Sequence, residues 1–193
     1  MRIAILTGSV RPARKSHKVA YYLKEQLEER NTVTDLIDMR NNPLPIFGSE
    51  TDTDRQSEFE TTIRNISDRL QNADAIIFVT PEYHGSFSGV LKNTLEYFWS
   101  EFSKKPIGVA TASSGKMGGI NASSQLQHVV LSLGAYPVPL KLLVPGIDNA
   151  FDESNKPRNE QLKKSVNKFL NEFLWFADAI YRKKEQQSYR ESA

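Results

Sequence analysis

Three polar segments punctuated by glycine carry the residues of this chain that could do chemistry: "TGSVRPARKSH" (residues 7–17), "PEYHGS" (81–86) and "SSGKMGG" (113–119). In the first, Ser9 and Ser16 offer hydroxyls, Arg11 offers a guanidinium fork, and Gly8 permits a positive φ. A helix that begins at Ser16 or His17 leaves its first backbone N–H groups unpaired toward that loop. An anion there meets both the donors and the positive end of the helix dipole. Phosphate is the anion such a loop suits. The bland alternative is an N-capped helix behind a solvated basic loop.

The second segment turns on Pro81 and Gly85 and presents Tyr83 and His84 as planar groups. The third supplies glycines that let backbone N–H groups come close to a ligand. Stacking faces and edge-on donors are what a flat, polar aromatic ligand needs. Together the three segments suit a molecule with a phosphate at one end and a polar ring system at the other, which is the shape of flavin mononucleotide (FMN). Two other phosphate motifs fit poorly. A Walker A loop needs G-x-x-x-x-G-K-[ST], whereas the stretch from Gly8 to Lys15-Ser16 is one residue too long and has Arg14 in place of the second glycine. A dinucleotide-binding turn needs three glycines, and this loop has Gly8 alone.

Other residues invite chemistry and carry less. His17, His84 and His128 lie in separate segments without metal-ligand spacing, and His128 falls in an apolar helical stretch. Glu82 reads as a loop-bracing acceptor rather than a base. Lys92 and Asn93 read as fixing a loop. Arg14, Lys15 and Lys18 read as a solvated charge run, with contact to a second ligand's phosphate as the sharper alternative. Phe98, Trp99, Phe102, Phe173, Trp175 and Phe176 exceed what one core face requires, so an exposed surplus would mark a subunit interface.

The elements that must position these segments alternate along the chain. Apolar runs at residues 2–6, 32–38, 73–80, 105–112 and 136–144 predict strands, the last on a sheet edge because of its prolines. Apolar residues at three- and four-residue spacing predict helices over 17–30, 57–72, 88–102, 120–133 (closed by Gly134) and about 159–182. This alternation predicts an α/β fold, a three-layer α/β/α sandwich on a five-stranded parallel sheet. Ligands of such folds sit beyond the carboxyl ends of the strands, where the three segments fall. Residues 1–182 are expected to form one domain, and 183–193 a frayed charged tail.

Composition narrows the functional classes. The formal net charge of the 193 residues is +2, too small to argue for nucleic acid or a membrane surface. No apolar stretch approaches the roughly 20 residues a membrane span needs. The N-terminal "MRIAILTGSV" reads as a strand rather than a secretory leader. Zero cysteines exclude disulfides, thiol catalysis and thiolate metal sites, and fit a cytoplasmic location.

These residues also carry a resemblance. "GSVR" with Ser16 after the first strand, "PEYHGSFSGVLKNTLEY" after the third and "SSGKMGG" after the fourth resemble the NADPH-dependent FMN reductase family over about residues 3–139. The resemblance implies a flavodoxin-like fold with strand order 2-1-3-4-5. It further implies that Ser9, Arg11, Ser16 and His17 hold the FMN phosphate and that Pro81, Glu82, Tyr83, His84 and Gly85 line the ring. Ser113, Ser114, Gly115, Gly118 and Gly119 would approach its pyrimidine end. That family often has asparagine where this chain has His84. The implied co-substrate is NADPH or NADH, the implied partner a small-molecule electron acceptor, and the implied assembly a homodimer or homotetramer. The rival expectation is an electron carrier that binds FMN without oxidising NADPH. "TGSVR" lacks the threonine-rich phosphate loop of flavodoxins, and the chain lacks their acidity.

Overall fold

The computed structural model describes residues 1–49 and 53–191. In chain order the elements are β1 (Arg2–Thr7), α1 (His17–Glu28), β2 (Val33–Asp38), α2 (Thr53–Gln71), β3 (Ala75–Tyr83), β4 (Ser86–Phe87), α3 (Gly89–Tyr97), β5 (Pro106–Ala112), α4 (Ile120–Ser132), β6 (Tyr136–Pro137), β7 (Leu142–Val144), α5 (Ile147–Ala150) and α6 (Glu160–Glu191). The sheet order is β2-β1-β3-β5-β6, with β7 also on β5 and β4 on β3. All pairings are parallel except that of β3 with β4. If β6 and β7 are taken as one interrupted strand, this is the expected order 2-1-3-4-5.

Two-residue periodicity divides the core. Ile3, Ile5 and Ile77 face the layer of α1 and α6, where Leu23, Leu27, Phe169 and Phe173 meet them. Ala4, Leu6, Ile76 and Phe78 face the opposite layer with Ile66, Leu91, Phe98, Phe102 and Leu126. Because both faces are covered, β5 is buried along its whole length. Phe78 and Phe102 meet edge to face at 5.6 Å, an arrangement that adds about 0.5–1.5 kcal/mol to the burial of the rings.

Four features depart from the sequence-based expectations. The fifth strand is broken: from Ile107 to Ala110 on β5 is three steps, but from Pro137 to Leu142 opposite is five. The Tyr136 and Val138 N–H groups bond inward to the Lys105 and Ile107 carbonyls, and the extra residues bulge after Val138. Second, α3 stops at Tyr97 because Phe98 is extended (φ −125, ψ 116); Phe102 still reaches the core from the following turn. Third, α6 runs to Glu191, past the helix end expected near residue 182, and residues 192–193 of the expected tail lie outside the described residues. Fourth, a short hairpin, β3–β4, replaces the open loop expected after the third strand. Gly134, with φ 67, follows the end of α4 as expected of a helix-closing glycine.

Candidate functional site

The loop after β1 is tied down at its start. Gly8 N–H donates to the Val79 carbonyl at 3.0 Å, and the Ser88 hydroxyl donates to the Gly8 carbonyl. Gly8 does not use a positive φ. Its need for glycine is contact: a Cβ would lie 2.6 Å from Leu91 Cβ and 2.8 Å from Ser88 Oγ. Beyond it, Ser9 and Ser16 are buried while Arg11 is exposed. The Arg11 guanidinium lies 5.5 Å from the centre of the Tyr83 ring, a cation–π distance. Ser9 Oγ and Tyr83 Oη are 3.5 Å apart.

Ser16 caps α1 by position only, since its hydroxyl makes no capping hydrogen bond. Among the described residues, the backbone N–H groups of Ser9, Val10, Arg11, Lys15, Ser16 and His17 find no protein acceptor. A run of unpaired donors at the start of a helix is an anion cradle. Burial, and then the charge of Arg14, lower the His17 pKa below its ordinary value. The ring is therefore neutral near pH 7. Its buried Nδ1 has no hydrogen-bond partner, and neither has the buried Nε of Arg14.

Arg14 is not part of a solvated charge run. Its side chain is buried against Asp38 at the end of β2, with Nη1 and Nη2 each 2.5 Å from a carboxylate oxygen. Nη1 also donates to the Ser9 carbonyl at 2.6 Å. Burial alone would raise the Asp38 pKa, but hydrogen bonds from Arg14, the Arg40 N–H and Thr7 outweigh it and hold the carboxyl below its ordinary value. Lys18 is also engaged, donating to the Asp152 carbonyl at 2.5 Å. Of the three basic residues, Lys15 alone lines the cleft with an exposed side chain.

In the second segment, Glu82 pairs with Phe87 and Tyr83 with Ser86 across β3 and β4. The turn residues His84 and Gly85 have φ 51 and φ 74. Positive φ at both central residues is the type I′ pattern that suits the twist of a hairpin. Glu82 Oε2 accepts the Ala122 N–H at 2.9 Å, at the start of α4, so Glu82 braces the site as expected. Asn93 braces a different loop: it accepts from the Phe47 N–H at 2.9 Å and donates to the Pro45 carbonyl at 2.7 Å. In the third segment, Gly118 and Gly119 serve packing. A Cβ on Gly118 would lie 2.9 Å from Val144 N, and one on Gly119 would lie 2.7 Å from Thr111 Cβ.

Ser9, Arg11, Ser16, Pro81, Glu82, Tyr83, Ser113 and Ser114 line one cleft of about 190 Å³. His17, His84, Gly85, Gly115, Gly118 and Gly119 do not line it; they flank or support it. Arg14, Ile147 and Asp148 line it as well. A carboxylate closing an apolar strand beside a basic loop was the signal for the Arg14–Asp38 pair. The segment "GIDNAFDESNKP" is a candidate for shaping the pocket whose conformation the sequence does not disclose, and it brings Ile147 and Asp148 to the cleft. Of the loop "NNPLPIFGSETD", residues 50–52 lie outside the described residues. Its earlier part, with Pro43, Leu44, Ile46 and Phe47, lines a separate apolar groove of about 830 Å³ with Val10 and α3.

Fold and cleft together define a flavodoxin-like α/β protein with an anion cradle at the carboxyl ends of its strands. The model of the NADPH-dependent FMN reductase family matches residues 1–148. The chain is 27% identical over 175 residues to an NADPH azoreductase of Bacillus sp. (strain OY1-2), covering 89% of this chain and 93% of that protein. It is 32% identical over 146 residues to an FMN-dependent NADPH-azoreductase of Staphylococcus haemolyticus (strain JCSC1435), covering 74% and 76%. Among solved structures, the flavoenzyme NAD(P)H:(acceptor) oxidoreductase FerB from Paracoccus denitrificans superposes with a TM-score of 0.76 at 22% identity, covering 94% of this chain and 97% of that one. At that identity the likeness speaks for the fold alone. The chain belongs to the NADPH-dependent FMN reductase family. The cofactor of that family is FMN, with a reduced nicotinamide nucleotide as co-substrate. The unpaired N–H groups and the two orphaned buried nitrogens beside the cleft fit its phosphate end.

Proposed function

We propose that this chain is an FMN-dependent NAD(P)H oxidoreductase whose acceptor is a small-molecule oxidant: a quinone, an azo compound, a metal oxyanion or free flavin. The observation that carries this reading is the cradle of unpaired backbone donors between Ser9 and His17, beside Arg11 and Tyr83. Bound FMN supplies the two-electron chemistry between nicotinamide and acceptor. The protein supplies position and electrostatics. Ser9, Arg11, Ser16 and His17 hold the phosphate. A cleft of about 190 Å³ is smaller than the roughly 300 Å³ or more of a whole-ligand pocket, so it would hold the phosphate end and the ring would extend beyond it. There Pro81, Glu82, Tyr83, His84 and Gly85 form one wall and Ser113, Ser114 and Gly115 the other, with Gly118 and Gly119 holding that loop against Thr111 and β7. Glu82, committed to the start of α4, acts as no base. The azoreductases named above support an azo compound among the acceptors.

The described residues contain no helix long and apolar enough to cross a membrane, and we place the enzyme in the cytoplasm. Exposed Trp99 and Trp175, together with Ile46 and Phe47, favour a homodimer or homotetramer that covers them.

The deciding experiment is an anaerobic NADPH titration of the FMN-supplemented protein, followed by visible absorption. Rapid bleaching of bound flavin supports the reductase. Bound flavin that stays oxidised points instead to an electron carrier, and failure to bind FMN removes the flavin reading. Arg11→Ala is expected to weaken FMN binding about tenfold, the loss of one charge-assisted hydrogen bond, with an unchanged melting temperature. Equal affinity in that variant would remove Arg11 from the phosphate site.

A further inference from the structure

We infer that the buried Arg14–Asp38 pair is the positioning device of the phosphate loop, setting the direction in which the unpaired N–H groups point. The inference rests on the FMN reading above and concerns residues that reading does not use. Asp38 is anchored on the sheet, where its Oδ1 accepts from Thr7 Oγ1 at 3.0 Å and from the Arg40 N–H at 3.1 Å. Arg14 spans from that anchor to the loop, both carboxylate oxygens on one side and the Ser9 carbonyl on the other. The Arg14 N–H also donates to the Arg11 carbonyl at 3.1 Å, so the turn over residues 11–14 carries the guanidinium back beneath Ser9.

The consequence follows from peptide planarity. The Ser9 carbonyl and the Val10 N–H belong to one rigid plane and point in opposite directions. A guanidinium that pulls the carbonyl inward therefore turns the Val10 N–H outward. Ser9 and Arg11 flank that plane and carry the hydroxyl and guanidinium of the cradle. Without the strap, the loop carbonyl competes for the space an anion must enter, and the donors scatter. Hydrogen bonding by Arg14 is also incomplete, since its buried Nε has no acceptor. A strap kept solely for stability would gain by satisfying that atom; one beside an anion site has a partner waiting.

The test compares FMN with riboflavin, which lacks the phosphate, by flavin fluorescence titration of the wild-type apoprotein and of Arg14→Lys and Asp38→Asn. Lysine keeps the charge but cannot hold two carboxylate oxygens and a carbonyl at once. The wild type is expected to prefer FMN. Both variants are expected to lose at least about tenfold in FMN affinity, as for a charge-assisted hydrogen bond, with riboflavin affinity changed less than about twofold. A general loss of stability would weaken both ligands alike. If Arg14→Lys does not fold by thermal melting, the isosteric Asp38→Asn decides. A wild type that binds the two flavins equally overturns the phosphate reading itself. A wild type that prefers FMN, with that preference intact or increased in Asp38→Asn, overturns the strap alone.

Discussion

His84 occupies a left-handed position with φ 51 beside Gly85 with φ 74, and its side chain is exposed. The backbone therefore accounts for a histidine here whether or not its ring meets a ligand: asparagine, aspartate and histidine tolerate positive φ, while β-branched residues do not. His84→Asn is expected to leave the melting temperature equal or higher. His84→Val is expected to cost about 1–2 kcal/mol in denaturant unfolding, the usual penalty for a left-handed residue. His17 offers a pH-dependent counterpart. Its folded-state pKa lies below the ordinary 6.5, so the stability it contributes is complete above 6.5 and is lost as pH falls through the lower folded value. An NMR titration of the apoprotein is expected to place the His17 midpoint below that of a free histidine, and added phosphate should raise it. At this scale the sequence was legible in one respect: Ser9, Arg11 and Tyr83, picked out by type, line one cleft. It was misleading where burial decides: Arg14 looks like a surface cation until Asp38 closes over it.

Each element contributes an end to the site, and the ends hold one another. Glu82 leaves β3 and receives the Ala122 N–H at the start of α4, so Glu82→Ala is expected to cost about 1 kcal/mol, as other lost helix caps do. At the other end of the fold, Lys105 Nζ caps α2 by donating to the Leu70 and Gln71 carbonyls at 2.6 and 2.9 Å. Burial first, and then Lys184, lower its pKa from 10.5 to about 8, against the pull of Asp74 and Glu101. A base with a depressed folded pKa contributes stability that is full above 10.5 and lost as pH falls through about 8. The unfolding free energy of the wild type is thus expected to rise between those values more steeply than that of Lys105→Met in urea titrations. Periodicity disclosed the five strands and the helices between them because apolar residues on two-sided strands and one-sided helices must repeat at those intervals. It could not disclose the hairpin, because two-residue β4 has no room for a period, nor the early end of α3, where Phe98 is apolar whether helical or extended.

On the scale of the whole molecule, the candidate cleft draws on residues 9–16 and on residues 81–83, 112–114 and 147–148. A parallel sheet gathers such distant segments by bringing successive strand ends to one side. The family and the layered architecture could be read from a few motifs. The closing of the cleft by Ile147 and Asp148 could not, because it depends on how α5 folds back after an interrupted strand. That interruption bears on how chains meet. Since the Tyr136 and Val138 N–H groups point inward to β5, alternation turns positions 137 and 139 outward, and both are proline. An arriving strand from another copy finds no hydrogen donor at either place, which disfavours pairing along β6. Replacing Pro137 and Pro139 with valine is accordingly expected to increase light scattering on heating and to leave FMN affinity unchanged. The broken strand that looks like a flaw in the sheet blunts one of its two borders against an approaching copy.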